Sequence, residues 1–287
     1  MNQKLHAVVL ICSTFIFIFS ACTSGARIPE PVPPQNDTHF YFVQLTDTHL
    51  GDANHIDRTT RIISAINDLP FEIKCVVHTG DVTSDNILQD SIPIRGKEIF
   101  SQLRYPIHFV PGNHDIDKRN LQPTRQAFEE NFGPLLTVQN YEGVQFVTVF
   151  TEPLAEGYEM EDFDPLLELE AVLANGKPTL VFHHSPSPGD FYRNTMHESW
   201  VESARSSWES LLNRHNVLAV FAGHYHRDEH HWLGEVPLYV SGPVGSWYGR
   251  QPTFRIFEYK NGRLGYRTQY ILMEEWKNGK IPKLFWE

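Results

Sequence analysis

The stretch HFYFVQL, His39–Leu45, followed at once by Thr46-Asp47-Thr48-His49, decides how this chain is read. Seven residues rich in aromatic and apolar side chains make a strand. It ends on a carboxylate and an imidazole two places apart. The same joint recurs four times. An apolar run at 71–77 leads to Gly80-Asp81, and a run at 106–110 leads to Gly112-Asn113-His114-Asp115. The run at 179–182 ends in His183-His184-Ser185-Pro186, and that at 217–222 in Gly223-His224-Tyr225-His226. Helical spacing separates them: 56–69 through Ile62, Ile63 and Ile66, then 92–103 and 200–212. From 236 to 272 the pattern is that of antiparallel strands with a turn at Asn261-Gly262. Short buried strands alternating with helices predict a layered α/β domain, helices outside.

In open α/β sheets the carboxyl ends of the strands form the ligand-binding edge, so five such loops can converge. A lone DxH or GxH is a weak signal, since either arises by chance. Five in order, each at a strand end, are strong.

With these blocks the chain resembles a calcineurin-like metallophosphoesterase of the small diesterase-like branch. The family's DxH, GD, GNH(D), H and GHxH blocks are matched by Asp47/His49, Asp81, Asn113/His114/Asp115, His184 and His224/His226. The resemblance spans about 39–272 and implies a four-layer αββα sandwich with a dinuclear metal centre at the carboxyl edge of the sheets. It implies one metal on Asp47, His49, Asp81 and His226, and a second on Asp81, Asn113, His184 and His224, with Asp81 bridging. The family's ligand His two places before a Pro points to His184, with its neighbour His183 as the alternative. The Gly that often follows GD in the family is missing from Val82-Thr83-Ser84-Asp85-Asn86. That leaves the ligands intact but sets the loop beside Asp81 apart.

The chemistry follows from charge. Two divalent ions bring +4, and Asp47 and Asp81 return −2, so the site suits a hydroxide and an anionic phosphate ester. Paired metals can lower the pKa of a bridging water and clamp attacking and leaving oxygens. The expected reaction is hydrolysis of a small phosphodiester or phosphomonoester, with His114 meeting the phosphate or protonating the leaving oxygen. Asp115 is expected to orient His114. Imidazole and carboxylate ligands without thiolate favour Mn, Fe, Zn or Co. A protein phosphatase of the same fold is the enzyme alternative. A non-catalytic surface lipoprotein is the other, opposed by the presence of every ligand position.

Lys4 precedes an apolar run from Ala7 to Phe19 and the small residues Ser20 and Ala21, the pattern of a secretory signal over 1–21. The run is shorter than the ~20 apolar residues a spanning helix needs. Phe19-Ser20-Ala21-Cys22 resembles the lipobox of bacterial lipoproteins, with Phe19 where Leu is usual. An ordinary cleaved signal and an uncleaved anchor remain alternatives. The segment 22–38, with Pro29, Pro31, Pro33 and Pro34, reads as a semi-extended tether. The expected product is one domain, 39–287, lipid-anchored through Cys22 in a bacterial cell envelope.

The net charge of −11, with Lys and Arg gathered into no stripe, leaves nucleic acid unexpected as a partner. Cys12 and Cys22 belong to the export segment, so the domain keeps Cys75 alone, a small buried hydrophobe in a strand. Of the remaining histidines, His55, His230 and His231 are candidates for the rim. Arg193, Arg227 and Arg250 are candidate phosphate contacts, and Trp247 with Tyr248 a candidate aromatic wall.

Overall fold

Strand β1 (His39–Leu45) alternates with period two. Phe40 and Phe42 point to one side, where Phe146, Phe182 and Phe221 wait, and Val43 and Leu45 point to the other, among Ile62, Ile63 and Ile66. This alternation places the strand between a second sheet and a helix layer. The computed structural model describes residues 37–52, 54–193, 197, 199–245 and 250–273. The export segment with Cys22, the tether up to 36, and Trp247 and Tyr248 lie outside these described residues.

The chain order is β1, α1 (His55–Asn67), β2 (Val76–Thr79), α2 (Ser91–Phe100), β3 (Ile107–Val110), α3 (Leu121–Asn131), β4 (Leu136–Tyr141) and β5 (Val144–Val149). There follow α4 (Glu152–Glu156), α5 (Pro165–Leu173), β6 (Thr179–Phe182), α6 (Glu202–Arg214), β7 (Val217–Ala222), β8 (Glu229–Leu233), β9 (Val236–Val240), β10 (Thr253–Lys260) and β11 (Arg263–Tyr270). One sheet has five strands in the order β11-β10-β1-β2-β3, and the other has six, β4-β5-β6-β7-β9-β8. β1, β2 and β3 run parallel, as do β5, β6, β7 and β9, while the outer hairpins are antiparallel.

Three apolar clusters define four layers. Between the sheets lies an aromatic sheet of its own: Phe42 stacks on Phe257 at 5.1 Å, Phe182 on Phe221 at 4.6 Å, and Phe42 meets Phe221 edge-on at 5.5 Å. Outside the first sheet, Ile62, Ile66, Ile99 and Phe128 of α1, α2 and α3 pack on Val43, Val76 and Ile256. Outside the second, Leu169, Trp208 and Leu212 of α5 and α6 pack on Val147, Val181 and Val220. The expected αββα sandwich is what forms. Near the carboxyl edge the two sheets are also tied by Gln44, whose amide donates to Thr79 Oγ1 (3.0 Å) and to the carbonyl of Ala222 (2.8 Å).

Local chemistry sets several boundaries. Asp164 caps α5 by accepting from the N–H groups of Leu166 (2.8 Å) and Leu167 (3.2 Å), and Pro165 follows at the first helical position. The β10–β11 turn is made by Asn261 and Gly262, both at positive φ (49° and 82°), as a two-residue hairpin needs. The second strand differs from its expected 71–77. Phe71 packs on the Tyr41 ring at 4.6 Å and the Lys74 N–H donates to the Tyr41 carbonyl (2.7 Å), but pairing with β1 starts at Val76. It then runs on through His78 and Thr79, polar residues that are nonetheless fully buried.

Candidate metal centre

Five strands of the two sheets deliver the candidate residues. β1 ends before Asp47 and His49, β2 before Asp81, and β3 before Asn113 and His114. From the other sheet, β6 ends before His183 and His184, and β7 before His224 and His226. Their turns are hydrogen-bonded to one another. The N–H of Asp47 donates to Gly80 O (2.9 Å), that of His49 to Asp81 O (3.0 Å), and that of Gly223 to His184 O (3.0 Å). Across the sheets, the His224 N–H donates to Asp47 Oδ2 (3.1 Å) and the His184 Nδ1–H to the Thr79 carbonyl (2.7 Å).

Asp47, His49, Asp81, His224 and His226 all have φ between 45° and 68°. An L-residue held there costs on the order of 1–3 kcal/mol, and such residues gather where function over-determines the backbone. Gly112 shows the same crowding: a Cβ on it would lie 2.2 Å from Asp81 Oδ1 and 2.5 Å from Asp81 N. Only a residue without a side chain lets the Asn113 loop close over Asp81.

The result is two groups of donors sharing one carboxylate. In the first, donor atoms of Asp47, His49, Asp81 and His226 lie within 4.8 Å of one another. His226 Nε2 is 3.2 Å from Asp47 Oδ1, and His49 Nε2 is 3.6 Å from Asp81 Oδ2. In the second, Asp81, His184 and His224 meet the same limit, with His184 Nε2 3.0 Å from Asp81 Oδ2. Asn113 Oδ1 is buried with no hydrogen-bond partner among the described residues. A buried amide oxygen left so calls for a partner, and a cation supplies one. Carboxylate and imidazole donors converging from opposite sides, with that orphaned oxygen on the loop that closes over Asp81, fit two divalent ions.

Electrostatics point the same way. Burial alone would raise Asp47, but the His226 imidazole against it holds its carboxyl well below the usual carboxylate range. Burial is likewise overcome at Asp81, by His184, His114 and His49. Burial, with His226 nearby, pushes His49 down to about 3, and burial with His184 takes His224 well below its ordinary value. Ionised carboxylates and neutral imidazoles are the forms that bind metal. His184 goes the other way: against its burial, Asp81 raises it well above the imidazole range. A proton and a cation therefore compete for its Nε2.

His184, not His183, is turned to the centre. His183 is fully buried between Trp200 and Trp208, with Nδ1 3.2 Å from Thr151 Oγ1. Asp115 does not orient His114. Its carboxylate accepts from the N–H groups of Val82 (3.0 Å), Thr83 (2.7 Å) and Gly112 (3.0 Å) and from the Thr83 hydroxyl (2.9 Å). Asp115 thereby pins the β2 loop to the β3 loop. The partner of His114 is Asp85, whose Oδ2 lies 2.9 Å from His114 Nδ1. Asp85 belongs to the very segment that departs from the family pattern after Asp81. The one signal for it was a carboxylate four residues downstream in a short loop. Burial opposes the charged form of His114, but Asp81 and Asp85 together raise it above the ordinary imidazole value.

Of the other candidates, the three histidines and Arg227 have structural partners, and Arg193 is exposed with its backbone N–H on the Asp190 carbonyl (3.0 Å). His55 Nδ1 meets the His49 carbonyl (2.9 Å), His230 stacks on Tyr239 at 4.8 Å, and His231 pairs with Glu229 (2.7 Å). Arg227 is taken up by Asp190 and Glu229. Arg250 is exposed, and its carbonyl accepts from Arg58. Cys75 is fully buried, its thiol pushed up to about 12 by desolvation, as suits an inert core residue. Glu152 was not foreseen: it is buried at the start of α4 and accepts from the Ser185 N–H (3.1 Å) and hydroxyl (2.8 Å), fixing the chain just after His184.

An αββα sandwich whose strand ends bring two carboxylate-bridged donor groups together defines a metal-dependent hydrolase of phosphate esters. The sequence model of the family described as calcineurin-like phosphoesterase matches residues 40–228, and the chain belongs to that family. A serine/threonine-protein phosphatase of Mus musculus is 25% identical over 248 residues, covering 74% of this chain and 77% of that protein. A probable cyclic nucleotide phosphodiesterase of a Pseudoalteromonas species is 24% identical over 221 residues, covering 71% and 81%. Among solved structures, a dimetal phosphatase from Danio rerio shares the fold with a TM-score of 0.55 at 15% identity, covering 80% of this chain and 98% of that one.

Proposed function

We propose that this chain hydrolyses phosphodiesters or phosphomonoesters at a centre in which Asp47, His49, Asp81 and His226 hold one divalent ion and Asp81, Asn113, His184 and His224 a second. The observation that carries the reading is the Asp81 carboxylate shared by both donor groups, with a buried, unpartnered Asn113 oxygen on the loop that closes over Asp81. Two divalent ions bound there supply a water of lowered pKa and charge to stabilise attacking and leaving oxygens. The chain's own residues do the rest. Asp81 Oδ1 accepts the His114 N–H (3.0 Å), which places His114 at the edge of the centre. Asp85 occupies His114 Nδ1, so Nε2 is the nitrogen that holds a proton for the leaving oxygen. The Thr79 carbonyl fixes the His184 tautomer, leaving its Nε2 lone pair for the ion.

The test is a metal add-back. Chelator-treated protein is assayed on mono- and bis-p-nitrophenyl phosphate with Mn, Zn, Fe or Co returned singly. Turnover should appear with metal alone and vanish in Asn113→Ala, and the diester-to-monoester ratio then sets the substrate class. A folded protein that takes up no metal would sink the reading.

We also propose that the chain is exported and held at a bacterial membrane by lipid on Cys22. What supports this is the basic start, the short apolar run and the lipobox-like Phe19-Ser20-Ala21-Cys22. Partition of the expressed protein into a detergent phase, lost in Cys22→Ala, is the expected result. Equal partition of both forms would contradict it.

A further inference from the structure

Asp228 stands two residues after His226, at the end of the turn between β7 and β8. Its Oδ1 accepts the Gly242 N–H (2.8 Å) and pairs with Arg255 Nη2 (2.9 Å). Its Oδ2 accepts the Thr268 hydroxyl (2.7 Å), with the Tyr270 hydroxyl at 3.4 Å. We propose that Asp228 is a positioning residue of the first donor group, holding His226 against Asp47 so that the first ion, and not the second, depends on it. The inference rests on the metal-centre reading above and assigns one of its two ions a support behind the ligands.

The partners of Asp228 come from places that matter to that group. Arg255 lies on β10, and Thr268 and Tyr270 on β11, so these contacts cross from the six-stranded sheet to the five-stranded one. Gly242 opens the segment between β9 and β10. In that segment the Val244 N–H donates to the Thr46 carbonyl (3.0 Å) and the Gly245 N–H to the Asp47 carbonyl (2.8 Å). One carboxylate thus ties the chain just past His226 to the segment that holds the backbone of Asp47. His226 Nε2 lies 3.2 Å from Asp47 Oδ1, and its φ of 51° is one that an ordinary residue leaves unless its surroundings hold it.

The anchor is rigid. Arg255 is buried, its Nε donates to Thr268 Oγ1 (3.3 Å), and its guanidinium sits 4.7 Å from the centre of the Tyr266 ring. The second donor group has supports of its own. The Gly223 N–H is on the His184 carbonyl, the His224 N–H on Asp47 Oδ2, the His184 ring on the Thr79 carbonyl, and Ser185 on Glu152. None of these bonds passes through Asp228. An Asn at 228 would keep the shape but not the bonding. Its amide NH₂ would face either Arg255 and Gly242 or Thr268 and Tyr270, donors on both sides, and the turn would have to shift.

The experiment titrates the full chain, stripped of metal by chelation, with Co in a calorimeter well below the metal-free thermal midpoint. Asn113→Ala weakens the second group and so isolates the first ion. In that background Asp228→Asn should lower Co affinity about 10–100-fold, the usual cost of losing a support behind metal ligands. In the otherwise native chain it should weaken one of the two ions and leave the other as it was. Thr268→Val removes a single donor and should weaken the same ion several-fold; it decides the matter if Asp228→Asn does not fold. An isolated first ion bound as tightly as before, or both ions weakened alike, would make Asp228 a general brace of the fold and overturn the inference. The metal-centre reading would survive either of those results, provided the native chain takes up two ions. A native chain that takes up none would sink that reading, and the inference with it.

Discussion

His114 meets two carboxylates that do different work. Asp81 accepts its backbone N–H and so places the residue; Asp85 accepts its ring Nδ1–H and so sets the tautomer and the orientation of the imidazole. Asp85 is more than half exposed, so the pair contributes little to folding, and its value lies in aim. Asp85→Asn should therefore lower kcat roughly 10–100-fold, in line with the loss of a carboxylate behind a working histidine. Metal content and thermal midpoint should stay close to wild type. His114→Ala should cost ~10²–10⁴-fold, as for loss of a general acid. Steady-state kinetics with metal analysis checks both, and an Asp85→Asn enzyme at full kcat would refute the pairing. At this scale the ligand types were legible because Asp, His and Asn after strand ends are chemically conspicuous. Partnerships were not. Asp115 adjoins His114 in sequence, yet the turn aims its carboxylate at three backbone N–H groups, while Asp85 arrives from another loop. Adjacency along the chain says little about adjacency of side-chain atoms once a turn intervenes.

Elements were readable where burial and pattern coincide. β1, β6 and β7 take the bounds their apolar runs foretell, because every residue in them after the first few faces a core. β2 slipped because its pairing depends on the polar but buried His78 and Thr79, held by tertiary partners that a hydropathy pattern does not carry: His78 Nε2 lies 3.0 Å from Thr48 Oγ1. The β4–β5 hairpin turns on Glu142-Gly143, with φ of 52° and 85°, and a Glu at the first position gives none of the usual turn signal. Helix α4 is a single short turn, but its first residue matters. Burial raises Glu152 to about 7 from an ordinary 4.5. A carboxyl raised in the folded state stabilises that state below pH 4.5, and the contribution is lost as pH climbs through 7. The linkage amounts to up to about 3 kcal/mol across that window. In chelator-treated protein, urea unfolding at pH 5 and pH 8 should show wild type losing more stability on the alkaline side than Glu152→Gln. Parallel losses in the two proteins would mean that Glu152 is not the group responsible.

At the scale of the molecule, the two sheets contribute to each donor group from opposite sides. The β1–β2–β3 sheet brings Asp47, His49, Asp81 and Asn113, and the β6–β7 pair brings His184, His224 and His226. Neither sheet completes a group alone, so an ion at either place joins the two sheets as the aromatic layer of Phe42, Phe182, Phe221 and Phe257 does from within. Because the donors are assembled only in the folded chain, binding free energy adds to folding free energy. At free metal a thousandfold above the dissociation constant, one site adds about 4 kcal/mol. For a domain of this size each kcal/mol moves the thermal midpoint by roughly 2–4 °C, so chelation should lower it by about 8–16 °C per strongly bound ion. Asn113→Ala weakens one group and leaves the other, so its midpoint should fall between those of loaded and chelated wild type. Asp81→Ala removes the shared carboxylate, so metal should no longer raise the midpoint by more than a small fraction of the wild-type shift. Calorimetry with and without chelator on the three proteins measures this directly. A midpoint indifferent to metal in the wild type would mean that the sheets are held together by their core alone, and that the strand ends do not act as one centre.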